Sequence, residues 1–569
     1  MRAATIGVVC CLVGGFGCGP KVRSNSDAVG PCTDGQLHCN GNTLQHCVDG
    51  EFRDDQVCPV TCADDLGCVV CVPGTGTCNG NESHACNAAG TGYDDSTCDP
   101  VQGSACDPGT GQCTGPCAPQ NLGTSYIGCD YYPTVTGNMV SANYNFAVAI
   151  ANTSNAVANV TIEGGTLATP TVISVQPNSV KVQTLPWQPA LKLCSGPSWS
   201  NCAGGVQMDA AQVAKGAFHL RSTAPVTVYQ FNPLEYSLPS AGEPSYSNDA
   251  SLLLPTNVWR NDYYIASWQQ VGGTNPGLLA VTARFDNTQV TITPKAATNA
   301  GQGAPAFSAN TAKTVTLGAG DVIELSTRTG DLTGSLVATD KPVQVIGGHY
   351  CANVPESTGY CDHLEESMFS VDALGRRYMI NAPAVTTLPQ GKVQTIRVIA
   401  TQPNTTLTYN PPQAGAPTTI AAAGSFIEIP NSTASFLIEA TEKILVAQYM
   451  SGQDAGGGTG DPAMALAVPV EQFRTSYLFH APTNYETNYV DVTAPMGATV
   501  MLDGVPLSFQ PIGNTGFGFV RVYPLSAGPA SDGNHAMTGT AAFGITVYGY
   551  GQYTSYWYPG GLNLTDIIN

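Results

Sequence analysis

Residues 278–293 read LLAVTARFDNTQVTIT. Apolar residues alternate on both sides of Asp286-Asn287, and a period of two interrupted by turn residues is the signature of two strands joined by a tight turn. Three other stretches share the pattern: FAVAIANTSNAVANVTI at 146–162, QTIRVIATQPNTTLTY at 394–409 and YVDVTAPMGATVML at 489–502. A second element recurs as LGAGDVIEL at 317–325 and AAGSFIEI at 422–429. A third, at 216–229, 334–346, 435–449 and 537–548, reads as a further hairpin. Connecting segments correspond as well, with VWRNDYYI at 258–265, LGRRYMI at 374–380 and FRTSYL at 473–478; NLGTSY at 121–126 begins the series. The recurrence predicts an all-β region over 118–569 built from four tandem β-sandwich-like repeats, approximately 118–245, 246–365, 366–465 and 466–569. A closed ring of β-blades is the alternative, because fourfold repetition also marks propellers.

Composition agrees with short strands and many turns. Of 569 residues only 11% are charged, while Gly (63) and Pro (40) are plentiful. Long amphipathic helices need Glu, Lys and Arg on their wet faces, and these are scarce. The net charge of -20 repels a phosphate backbone, which argues against nucleic acid as a partner.

The N-terminus reads as an export signal over 1–17: a basic Met1-Arg2, then an uncharged, mostly apolar run too short to span a bilayer. It ends at Gly15-Phe16-Gly17-Cys18, which resembles a bacterial lipobox and marks Cys18 as the lipidation site. Gly15 and Phe16 depart from the usual Leu and small residue, so simple secretion is the competing reading. Residues 18–31 have the composition of a flexible tether. The 21 cysteines less Cys10, Cys11 and Cys18 leave an even eighteen, as complete pairing in an oxidising compartment requires. Twelve fall in two tandem modules within 32–117, Cys32, Cys39, Cys47, Cys58, Cys62, Cys68 and Cys71, Cys78, Cys86, Cys98, Cys106, Cys113. Six and then seven residues separate the first three cysteines of each. With few large apolar residues, such modules rely on disulfides, and the region reads as a spacer.

One segment invites a chemical reading: His349-Tyr350-Cys351, then Cys361-Asp362-His363 with Glu365 and Glu366. Imidazole and thiolate suit zinc, but export favours a Cys351–Cys361 disulfide closing a short loop. Cys194 with Cys202 and Cys117 with Cys129 are candidates for two further pairs. His349, Asp362 and His363 remain the alternative metal or catalytic set, as in an exported hydrolase. No G-x-S-x-G, H-E-x-x-H or Walker A motif occurs, and no cofactor or resident metal is expected. The aromatic run from Tyr548 to Tyr558 reads as a terminal strand packing its rings inward, or alternatively as a binding face.

Several of these residues carry a resemblance. Gly330-Asp331-Leu332-Thr333-Gly334-Ser335, Thr339-Asp340-Lys341-Pro342-Val343, Gly348-His349-Tyr350-Cys351-Ala352 and Cys361-Asp362-His363-Leu364 are similar to the N-terminal domain of the IgG Fc-binding protein family. Asp286–Ile292 and Leu374–Tyr378 fit the same pattern, over roughly 140–550, whereas the twelve-cysteine region lies outside it. The resemblance implies a non-catalytic extracellular binding or adhesive domain, without implying antibody as the ligand. The expected protein is therefore a surface lipoprotein that holds a protein- or glycan-binding β region away from an outer membrane. Its membrane contact would be the anchor alone. An exported enzyme and a self-associating envelope component are the alternatives.

Overall fold

The computed structural model of the chain describes residues 32–192, 209–272, 275–455 and 457–567. The signal, Cys18, the tether and the Cys194–Cys202 pair lie outside the described residues. Strands dominate, and the one α-helix among the described residues is the single turn Pro189–Lys192. Two bodies are present: 32–96 with Asp107–Gln112, and Thr97–Cys106 with Cys113 onward. The division falls inside the second cysteine module. Asp99 carries part of that module to the large body, where it pairs with Arg221 at 2.9 Å.

The small body is held by covalent links more than by burial. Leu44, Cys58 and Cys62 form its core with Leu37, Cys39 and Cys68, while Val57 and Val60 stand in solvent. Its strands Leu37–Asn40, Thr43–Val48 and Glu51–Val57 make one antiparallel sheet. Disulfides join Cys32–Cys47, Cys39–Cys62, Cys58–Cys68 and Cys71–Cys86. In the large body Cys98 pairs with Cys113 and Cys117 with Cys129. First-to-third and fourth-to-sixth pairing thus recur in the two modules.

In the large body each repeat is a small sandwich, but the predicted hairpins are not hairpins. In the second repeat Gly277–Ala283 pairs with residues 343–349 of the long strand Leu336–Ala352, whereas Thr288–Thr293 pairs with residues 336–339 of the same strand. The two runs lie in different sheets, and Asp286-Asn287 carries the chain across between them. Phe146–Asn152 and Ala158–Gly164 divide the long strand Phe218–Phe231 in the same way. The second runs, Ala158–Gly164 and Thr288–Thr293, bury one face, while the first, Phe146–Asn152 and Gly277–Ala283, are buried on both. Apolar periodicity on either side of a turn does not say that the two runs pair with each other. The third element corrects likewise. Phe218–Phe231, Leu336–Ala352 and Asn534–Gly551 are single strands that pass from one sheet to the other, and only in the third repeat is the strand broken, into Phe436–Ala440 and Ile444–Met450. The apparent turn residues, including Pro225 and Pro342, sit where the strand changes sheets; proline has no N–H to give a ladder there.

Each change of sheet is pinned by a tyrosine from the connecting segment. The hydroxyls of Tyr131, Tyr263 and Tyr378 donate to the carbonyls of Val226 (2.6 Å), Val343 (2.9 Å) and Ile444 (2.5 Å), and Tyr477 reaches Phe543. The first repeat's counterpart is therefore Tyr131, not Tyr126 of NLGTSY. Tyr126 instead bonds through its backbone N–H to Leu562 (3.1 Å), beside a bridge between Ser125 and Asn563.

After each long strand comes a short one that pairs with its second half: Ala250–Leu253, Asp362–Ser367, Met464–Leu466 and Thr554–Pro559. Strand pairing thus carries the first repeat to Leu253. These four axial strands touch in a cycle, first to second, second to third, third to fourth and fourth to first. The four sandwiches are consequently arranged in a closed ring. Arg397 ties the third repeat to the second, with Asp331 at 2.8 Å, the Ser267 carbonyl at 2.8 Å and the Trp268 ring 4.0 Å away.

Candidate functional site

The richest polar cluster lies on the axis of the ring. Asp249, fully buried at the start of the first axial strand, accepts a backbone N–H from every axial strand. Its Oδ1 takes Ala250 (2.9 Å) and Trp557 (3.1 Å), and its Oδ2 takes Glu365 (3.1 Å) and Met464 (3.2 Å). A short strand meeting others side-on leaves N–H groups without ladder partners, and one carboxylate satisfies four of them. Burial pushes the Asp249 pKa well above the usual carboxylate value, and the N–H donors pull it back.

Asp362, on the second axial strand, does the same work one layer away. Oδ1 accepts from the backbone of Asn248 (2.7 Å) and His363 (2.8 Å); Oδ2 accepts from the Thr554 hydroxyl (3.2 Å) and the Ser555 backbone (3.0 Å). Burial raises its pKa strongly, with Asp461 adding to the effect. His363 faces the first repeat, where its Nε2 accepts from Asn232 Nδ2 (3.1 Å) and meets Thr136 (3.2 Å). Glu365 accepts from Thr136 (2.7 Å), Asn232 (3.1 Å) and Gln230 (3.1 Å).

His349 is elsewhere engaged. Its Nε2 donates to the Gln269 carbonyl (3.0 Å) and its Nδ1 accepts from the Cys351 N–H (3.0 Å), so both ring nitrogens are used. Burial lowers its pKa to about 3 and keeps it neutral. Asp362 and His363 are thus adjacent, His349 stands apart with its own partners, and all three are fully buried. Among the described residues no group of three or more His, Cys, Asp or Glu side chains is placed to hold a metal ion. Cys351 and Cys361 are joined, with Cα atoms 5.0 Å apart. The aromatic run at the C-terminus turns inward: Tyr548, Tyr550, Tyr556, Trp557 and Tyr558 are all buried.

Above Asp362 the axis reaches solvent through three tyrosines that sequence reasoning passed over. Tyr246, Tyr360 and Tyr553 come from the first, second and fourth repeats, each a few residues before an axial strand, and all three adopt left-handed backbone (φ 56°, 65° and 62°). A side chain enters that region reluctantly, and here it turns each ring toward the same point. The Tyr360 and Tyr553 centroids are 4.6 Å apart and those of Tyr246 and Tyr553 6.2 Å. The third repeat contributes Gln453 and Asp454 instead. Gln453 Oε1 accepts the Tyr553 N–H (3.1 Å), and its own N–H donates to Asp461 (2.9 Å). The signal was available in sequence as a tyrosine just before each of three equivalent strands, but the strands had to be placed first.

A family model described as IgGFc binding protein matches residues 249–549, more than half of the chain and beginning at the axial carboxylate. No curated protein matches the chain.

Proposed function

The chain belongs to the IgGFc binding protein family, and from that premise we propose that it is a non-catalytic binding protein exported to the cell surface. In this reading Cys18 carries the lipid, 18–31 is the tether and 32–117 the spacer. Region 118–569 then offers its loops to an extracellular protein or glycan. The observation that carries the reading is the fate of the chemically able residues. Asp249, Asp362 and His363 are buried and bonded to backbone or amide groups of other repeats, and His349 is buried and bonded to backbone of its own, which favours a scaffold for loops over a reaction centre.

The test uses the complete protein from residue 18 onward, immobilised and exposed to cell-surface proteins and to glycans. Saturable capture of a ligand, with no turnover of ester, peptide or glycoside substrates, is the expected result. Turnover abolished by Asp362→Asn in a protein that still folds would sink it. For the anchor, Cys18→Ala should move the protein from the membrane to the soluble fraction and end labelling with a fatty-acid analogue.

A further inference from the structure

The tyrosine-lined end of the axis combines partly exposed aromatic rings with carboxylates. Tyr360 is 50% exposed, and Tyr246 and Tyr553 are half-buried beside it. Asp454 lies against the same loop, since a Cβ on Gly359 would stand 3.3 Å from its Oδ2. Its charge is felt at Tyr360, whose hydroxyl is held above its ordinary pKa by Tyr553 first and then by Asp454. Glu486 is near, accepting the N–H of Gln552 at 3.0 Å. The basic group in this neighbourhood, Lys392, is fully buried and spent on the carbonyls of Thr459 (2.9 Å) and Gly460.

Partly exposed rings in tilted and edge-on contact, with a carboxylate beside them and, among the described residues, no ion pair or cation–ring contact made to them, form a seat for positive charge. We propose that Tyr246, Tyr360, Tyr553 and Asp454 bind a cationic side chain, lysine or arginine, of a protein ligand. The proposal rests on the binding-protein reading above and names the ligand chemistry at one place on it. Charge complementarity supports that occupant over a neutral sugar: a sugar hydroxyl gains a hydrogen bond to Asp454, whereas an ammonium or guanidinium gains a charge-assisted bond there and a cation–π contact with the rings. The geometry is fixed before any ligand arrives. Gln453 and the Gly452 N–H, which donates to Val354 (2.8 Å), tie the loops of the second, third and fourth repeats, and Asn248, bonded to Asp362 (2.7 Å) and Thr554 (2.9 Å), ties that of the first, so little ordering remains for binding to require.

The experiment measures binding of a lysine-rich peptide to the full protein, beside the same peptide with every lysine acetylated and a neutral oligosaccharide. The charged peptide should bind and the acetylated one should not. Tyr360→Phe should hold its affinity within about twofold, because the ring face remains, while Tyr360→Leu and Asp454→Asn should each weaken it by about three- to tenfold. Tyr523→Ala, at an exposed ring elsewhere, and Glu51→Gln, on the small body, should change nothing. Unaltered melting curves confirm that the variants fold. Failure of the charged peptide to bind overturns the proposal. So does equal weakening by Glu51→Gln, which means diffuse attraction to an acidic protein, or oligosaccharide binding that is lost in Tyr360→Leu. If a cell-surface ligand is captured equally by wild type and Tyr360→Leu, this site is wrong and the broader reading stands; if nothing is captured, the broader reading fails.

Discussion

Asp249 Oδ1 accepts the backbone N–H of Trp557 at 3.1 Å across 308 residues of sequence. The bond joins the end of the first repeat to the last strand of the fourth, and the same carboxylate holds Glu365 and Met464. Asp249→Asn replaces an acceptor with an amide N–H₂ that faces two backbone donors. Loss of about 2–4 kcal/mol in denaturant unfolding of the full protein is expected. A variant as stable as wild type would show that the four bonds contribute little.

Asp461 gives the ring a pH dependence of known sign. Burial raises its pKa from 3.8 to about 7, against the pull of the Gln453 N–H and Lys392. A carboxyl raised on folding stabilises fully below its unfolded pKa, and that contribution is lost as pH rises through about 7. Wild type should therefore lose roughly 2–4 kcal/mol relative to Asp461→Asn between pH 4 and 8. Parallel stability curves for the two proteins would contradict this.

Arg397 is buried against the Trp268, Phe426 and Tyr449 rings, with Asp331 and Glu428 as its ion partners. Arg397→Met keeps volume but strands both carboxylates and the Ser267 and Thr333 acceptors, at a cost of roughly 3 kcal/mol. Arg397→Lys should recover less than half of it, because one ammonium cannot reach all of these groups while stacking. Thermal melting of the three proteins compares them directly.

The bond between Cys351 and Cys361 closes a loop of 10 residues in sequence separation. Cys351→Ala/Cys361→Ala should destabilise by about 2–3 kcal/mol through the freed unfolded chain, and non-reduced peptide mapping of wild type should recover the pair linked. Free thiols at both positions, with zinc lost on mutating His349, would instead restore the metal reading.

The repeats were legible because the core imposes its period on strands with one wet face: Val290 and Ile292 are buried while Gln289 points out. Pairing was not. Gly277–Ala283 and Thr288–Thr293 meet opposite halves of one long strand, and nothing in an alternating run says which edge receives it. Asp362 stands out in sequence because cysteine and histidine flank it; that both its oxygens collect backbone and hydroxyl donors from the first and fourth repeats has no local sign. Asp249, its equal in the structure, passed as an ordinary polar residue before SLLLP. A carboxylate that collects N–H groups from four distant strands has no local spacing to betray it.

The clasp between Ser125 and Asn563 sets an order of events as the chain emerges and folds. The first repeat emerges early, but the Gly560 carbonyl that receives the Tyr229 hydroxyl and the Trp557 N–H that reaches Asp249 follow it by 331 and 308 residues. Individual sandwiches can form as they emerge, since most of their pairings are internal. The circle can shut only once the fourth repeat has emerged, and until then the edge of the first repeat that will meet it stays open, where a chaperone can hold it or a neighbouring unfolded chain can invade it.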